Sequence, residues 1–236
     1  QSADVLTICH PNYPPAELRR LGALSWSLTN ITFAATLTAP TGVAAAPTVA
    51  TGAGLTVTYT YKVTAVAEGG LQQSLASASA SCTNNLLTTG NKNTVTWSAV
   101  TGAVRYKVYK QSNGLYGYIG QTDGLSLVDD NILADVSFTP PEVNNPFSGS
   151  GKYPGAVSYF EQRRWFAGTT NLPQTFWATR SGTESDLSYS IPTRDDDALS
   201  FRVAAREANT IRHIVPLSNM VLLTSAAEWR LTSVNT

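Results

Sequence analysis

The densest group of ionisable side chains is Asp195-Asp196-Asp197. Adjacent carboxylates supply the oxygen ligands that a divalent cation takes. Along a strand, however, neighbours point to opposite faces, so three consecutive aspartates do not converge. They are expected instead to cap loop N–H groups or to pair with a nearby arginine, Arg194 or Arg202. Asp129-Asp130-Asn131 with Asp135 poses the same choice. It lacks the glycine and terminal glutamate of a calcium loop, and turn chemistry is expected there as well. The two histidines are His10 and His213. A nucleophilic triad could use either, but no Gly-x-Ser-x-Gly elbow accompanies them. Ile211-Arg212-His213-Ile214-Val215 reads as a strand with a structural histidine beside Arg212. Glu161 and Glu228 offer the two carboxylates of a glycosidase. Each also stands close to an aromatic and an arginine, which equally describes an ion pair. No phosphate-binding glycine loop or Cys-x-x-Cys spacing occurs. No catalytic, metal-binding or cofactor-binding residue is assigned, and the chain is expected not to be an enzyme.

Two local basic spots remain, Arg163-Arg164 beside Trp165, and Arg19-Arg20. They could face DNA phosphates. They could equally stack on aromatics and pair with Glu161 and Glu17, and the accompanying acids favour pairing. Arg163, Arg164, Trp165 and Trp229 are therefore the candidate structural or interface residues. Tyr109, Tyr116 and Tyr118 surround the turn Ser112-Asn113-Gly114. Their rings and hydroxyls suit a glycan or other partner; ordinary sheet packing of a Tyr-Gly-Tyr hairpin is the competing reading. Cys9 and Cys82 read as small buried hydrophobes, since two cysteines do not make a disulfide framework.

The elements that must position these residues are strands. Charged residues make up only 14% of the 236, against roughly 25% in ordinary soluble domains. Abundant Thr, Ser, Ala, Val and Gly suits strands and tight turns. Formal net charge is zero, which leaves no global field for gripping nucleic acid or an anionic membrane. No apolar run approaches the length of a membrane-spanning helix. A short helix is expected only over Pro15-Ala16-Glu17-Leu18-Arg19-Arg20, where proline suits a first turn. The chain opens at Gln1 without methionine and stops at Thr236 soon after Val221-Leu222-Leu223 and Trp229. It is expected to be part of something longer.

Basic residues change type along the chain. From Thr38 to Pro141 there are four lysines and one arginine; elsewhere there are ten arginines and one lysine, Lys152. Acids balance bases in each section. Pro/Gly-rich joints lie near both seams, at Ala39-Pro40-Thr41-Gly42 and from Pro140-Pro141 to Gly151. The pattern predicts an inserted module over 38–141 and a discontinuous body over 1–37 and 142–236. Val57 to Val66 carries apolar or aromatic residues at odd positions through Thr64, the two-residue period of a half-buried strand. Thr94-Val95-Thr96-Trp97 and Val104, Tyr106, Val108 alternate likewise. Glu68-Gly69-Gly70, Gly90-Asn91, Ser112-Asn113-Gly114 and Asp123-Gly124 supply turns.

Trp97 through Tyr109 resembles the second and third strands of a fibronectin type III domain, and Tyr59 to Val66 with Ser74 and Ser77 resembles its last hairpin. The terminal hairpin comes first here, as in a permuted immunoglobulin-like sandwich. That resemblance implies a fold and says almost nothing of function. The flanks carry a second one. His10-Pro11-Asn12-Tyr13-Pro14-Pro15-Ala16-Glu17-Leu18-Arg19-Arg20-Leu21 with Trp26-Ser27-Leu28, and Tyr153 through Thr169, resemble the tail tubular protein B, or nozzle, family of short-tailed bacteriophages and related prophages. So do Pro173 to Trp177, Ser181-Gly182, Asp195 to Leu199 and Ala227-Glu228-Trp229. The resemblance implies an all-β fold, a partial β-propeller-like body with the sandwich inserted. It implies a virion tail protein made in the bacterial cytoplasm, forming a ring, hexameric in the full-length protein, with other tail proteins as partners. DNA would leave through its channel without sequence-specific binding. The alternative is a binding module for a surface glycan or receptor.

Overall fold

The computed structural model describes residues 4–50, 54–70, 72–205 and 209–232; the chain ends, Gln1 and Thr236, lie outside them. Among the described residues the structure is all β, with 19 strands and no helix. The strands form several small antiparallel sheets, and among the described residues no closed barrel or propeller is present. Two compact units result: one is Gln1–Ala34, Asn144–Leu187 and Asp197–Thr236, the other Ala35–Val143 with Ser188–Asp196.

The discontinuous unit opens with β1 (Val5–His10), β2 (Tyr13–Gly22) and β3 (Ser25–Asn30), a three-stranded sheet with β2 at its centre. The stretch expected to be helical, Pro15 to Arg20, is thus a strand. The reason is tertiary: Leu18 pairs with Leu6 on one side and Leu28 on the other. Both edges of β2 are thereby hydrogen-bonded, which outweighs a weak local helix preference. Pro14 and Pro15 sit near its start, where a missing N–H is most easily tolerated.

The inserted unit contains β4 (Ala44–Thr48), β5 (Val57–Ala67), β6 (Ala80–Asn84), β7 (Lys92–Thr96), β8 (Ala103–Ser112), β9 (Leu115–Thr122), β10 (Ser126–Asp129) and β11 (Thr139–Val143). One sheet runs β6-β5-β8-β9 and another β10-β7-β4. Alternation buries Tyr61, Val63 and Ala65 of β5 with Tyr106 and Val108 of β8. A single hydrophobic cluster joins them to Val95 and Trp97. The Trp97 and Tyr106 rings lie 5.5 Å apart, and the Tyr106 hydroxyl accepts the Val100 N–H at 2.8 Å. Between β8 and β9, Asn113 and Gly114 both take positive φ (50° and 85°), the requirement of a two-residue hairpin turn.

The chain returns to the first unit in β12 (Ala156–Phe160), β13 (Arg163–Ala167) and β14 (Thr175–Ala178). β15 (Ser188–Ile191) then pairs with β11 and belongs to the inserted unit, a contribution absent from the boundaries read at 38–141. Afterwards come β16 (Leu199–Arg202), β17 (Ile211–Pro216), β18 (Met220–Thr224) and β19 (Glu228–Leu231). Strands β12-β13-β14-β16 make one sheet and β17-β18-β19 another. Trp165, Phe176, Ile214 and Leu222 share a core between these two sheets. Phe147, Phe166, Trp177 and Leu187 form a second cluster. Complete burial of a side chain such as Phe166 contributes about 1.5–3 kcal/mol. A register irregularity between Ile211 and His213 leaves Arg212 and His213 both exposed.

Candidate functional site

In the first unit the basic pair Arg163-Arg164 is buried. Arg164 is 0% exposed and donates from Nη2 to Glu17 Oε1 at 2.8 Å and to Glu184 Oε2 at 2.6 Å. Its Nε donates to the Tyr159 hydroxyl at 2.9 Å, and its guanidinium lies 5.3 Å from that ring's centroid. Tyr159 is tied in turn to the Thr7 hydroxyl at 2.8 Å. β2 supplies Glu17 because alternation turns it inward while Leu18 and Arg20 turn away. Arg19 donates from Nε to the other Glu17 oxygen at 2.9 Å. Burial pushes the Glu17 carboxyl upward, but hydrogen bonds from Arg19 and Arg164 outweigh it and hold the group below the usual carboxylate range.

The expected partner Glu161 takes no part in the ion pairs of Arg163 or Arg164. It lies exposed in the two-residue turn joining β12 to β13, where Glu161 and Gln162 have φ of 47° and 59°. Arg163 donates from Nη1 to the carbonyls of Thr179 and Asp197. Asp197 pairs with Arg180 at 3.1 Å, and Arg202 hydrogen-bonds Gln174 at 3.4 Å. Arg180, Glu184 and Tyr159 escaped sequence reasoning because each meets its partner only once the strands and the loops between them are folded together. Trp165 is buried and donates to the Phe160 carbonyl at 3.0 Å. Trp229 is half-buried against the core.

The opposite face of the β1-β2-β3 sheet is apolar and open. Leu6, Ile8, Trp26 and Leu28 are 39–64% exposed, and register places Leu6, Leu18 and Leu28 in one row. A contiguous apolar face of this kind marks an interaction surface more often than chance.

In the inserted unit the aspartates perform turn chemistry. Asp129 Oδ1 accepts the N–H groups of Asn131 and Ile132 at 3.1 and 2.7 Å. Its Oδ2 accepts from the Tyr61 hydroxyl at 2.8 Å and Lys110 Nζ at 2.9 Å, all within the interior. Asp135 accepts the Ser137 N–H at 3.0 Å. His10, in the other unit, accepts the Asn12 N–H at 3.1 Å.

The outer face of the β6-β5-β8-β9 sheet floors a cavity of about 350 Å³. Lys107, Tyr109, Tyr118 and Gln121 line its base, with Phe138 and the segment Ser190–Arg194 at its sides. Of the three tyrosines read as glycan contacts, Tyr109 and Tyr118 reach it and Tyr116 does not. Tyr116 stacks instead under Lys62, whose Nζ is 4.4 Å from the ring centroid. Tyr109 is 2% exposed, and its hydroxyl accepts from Gln73 Nε2 at 2.8 Å. Lys107 was missed by sequence reasoning, although period two places it on the Tyr109 face of β8; the closing segment carried no local signal.

Both cysteines are free, and burial pushes the Cys9 thiol up to about 12. Among the described residues no helix is long and apolar enough to cross a membrane. Neither a protein-family model nor a curated protein matches the chain.

Proposed function

We propose that the chain is a non-enzymatic structural component of a short-tailed bacteriophage or prophage tail, part of a nozzle ring through which DNA leaves. The observation that carries the reading is the meeting of the resembling blocks in one network. Glu17 of the first block holds Arg164 of the second, and Arg163 holds the carbonyl of Asp197 in the block Asp195 to Leu199. Basic side chains spent on buried carboxylates are unavailable to DNA phosphates, as suits a body that lets DNA pass. The open apolar face of β1-β2-β3 offers the surface that ring assembly requires.

The four-stranded sheet β12-β13-β14-β16 has the strand number of a propeller blade, which supports a partial propeller-like body. The order β6-β5-β8-β9, and a core drawn from both sheets, support a permuted fibronectin type III-like sandwich. Electron microscopy of the full-length gene product tests the proposal. Rings with a central channel at a virion's tail tip are expected; a monomer absent from virions overturns it.

A second reading is favoured by the cavity on the inserted unit: a binding module for a surface glycan, with Tyr109 and Tyr118 as contacts. Glycan binding abolished by Tyr118→Ala but retained by Tyr116→Ala is the expected result. Equal loss in both variants counts against the cavity.

A further inference from the structure

Resting on the second reading, we infer that the cavity over β8 and β9 selects an acidic saccharide, one carrying a carboxylate, through Lys107. Four observations converge. Lys107 is half-buried at the base of the cavity, and its hydrogen bond is to a neutral amide, Gln73 Oε1, at 3.4 Å. Among the described residues no carboxylate lies within ion-pair distance of it. A half-buried ammonium without a counter-ion is costly, and an incoming anion removes that cost.

Its charged surroundings point the same way. Arg194 lines the same cavity, and Arg105 stands near enough to act on Lys107. Burial first, then Arg194 and Arg105, lower the affinity of Lys107 for its proton. The one carboxylate in the lining, Asp135, is held by the Ser137 N–H and hydroxyl. Lys107 thus stands in the cavity lining as a cation without a carboxylate partner.

The remaining lining suits a sugar. Tyr118 and Phe138 supply aromatic surface for the apolar side of a pyranose, and Gln121 supplies an amide for its hydroxyls. The Thr139 hydroxyl, also in the lining, is buried without a hydrogen-bond partner. A volume of about 350 Å³ lies within the range of small-molecule sites, roughly 300–1,000 Å³.

The test is isothermal titration of the full 236-residue chain with D-glucuronate and N-acetylneuraminate, with glucose and N-acetylglucosamine as neutral matches and inorganic phosphate as a sugar-free anion. Acidic sugars are expected to bind at least about tenfold tighter than the neutral ones, the factor that about 1.4 kcal/mol represents. Lys107→Met is expected to abolish that preference while melting no lower than wild type, because it removes a poorly solvated charge. Lys107→Arg should keep part of the preference and serves as the second variant. Burial and the nearby guanidinium groups loosen the Lys107 proton, so binding an anion should be accompanied by proton uptake, read as a dependence of the heat on buffer ionisation. Neutral sugars binding as tightly as acidic ones would overturn the charge selection and leave the glycan reading standing. Binding of no sugar would overturn both. Phosphate binding as tightly as the acidic sugars, lost in Lys107→Met, would replace the saccharide by a bare anion and overturn the inference.

Discussion

Removing the Arg164 guanidinium tests the account of the first unit most directly. In Arg164→Met, Glu17 stays buried and keeps only Arg19, whose side chain is 50% exposed. Breaking a buried pair by deleting one partner costs roughly 3–5 kcal/mol, and Arg19 places the expected loss near the low end, about 3 kcal/mol. For a chain of this size each kcal/mol moves Tm by about 2–4 °C, so a drop of about 6–12 °C is expected. Tryptophan fluorescence during thermal or urea unfolding reads it, since Trp26, Trp165, Trp177 and Trp229 all belong to this unit. The double variant Glu17→Leu/Arg164→Met should recover most of the loss, because apolar replacement of a whole buried pair is often neutral. Acid provides an independent check. The Glu17 carboxyl is held below its ordinary value of 4.5, so its stabilisation is present above that value and disappears as pH falls through the depressed one. Glu17→Gln should flatten the wild-type stability loss in that acid range. An Arg164→Met variant within about 1 kcal/mol of wild type, or a double variant no better than the single, would refute the network's role.

In the inserted unit, Asp129→Asn strands Lys110 in the interior and should cost about 3 kcal/mol or more by denaturant titration. Replacing Glu161-Gln162 by Asn-Gly relieves two positive-φ residues and should raise stability by about 1–2 kcal/mol; unchanged stability would contradict the turn geometry. With its thiol pushed up to about 12 by burial, Cys9 should resist alkylation at pH 8 in the native chain and react after denaturation. Rapid labelling of native Cys9, read by mass spectrometry, would show that the site is open.

Local pattern by itself marked the strands β5, β7 and β8 of the inserted unit. Alternation in Val57 to Val66 and in Val104 to Val108 needs no distant partner to be read, because side chains on a pleated strand alternate faces. Asn113-Gly114 likewise announces its hairpin through backbone preference, and Asp129-Asp130-Asn131 its turn through a side chain that bonds its own neighbours. The change from arginine to lysine lies beside the seams at Ala34 and Val143, yet nothing in composition marks Ser188–Asp196 as part of the inserted unit. Only the tertiary structure decided that Pro15 to Arg20 is a strand, that Arg164 takes Glu17 and Glu184 rather than Glu161, and that Asp197 takes Arg180. Each depends on residues apart in sequence being brought together by the tertiary fold, and for Glu17 a one-residue slip of β2 would turn it outward and Leu18 in. The cavity over Lys107 has the same origin, since β15 must pair with β11 before the segment that walls it is in place.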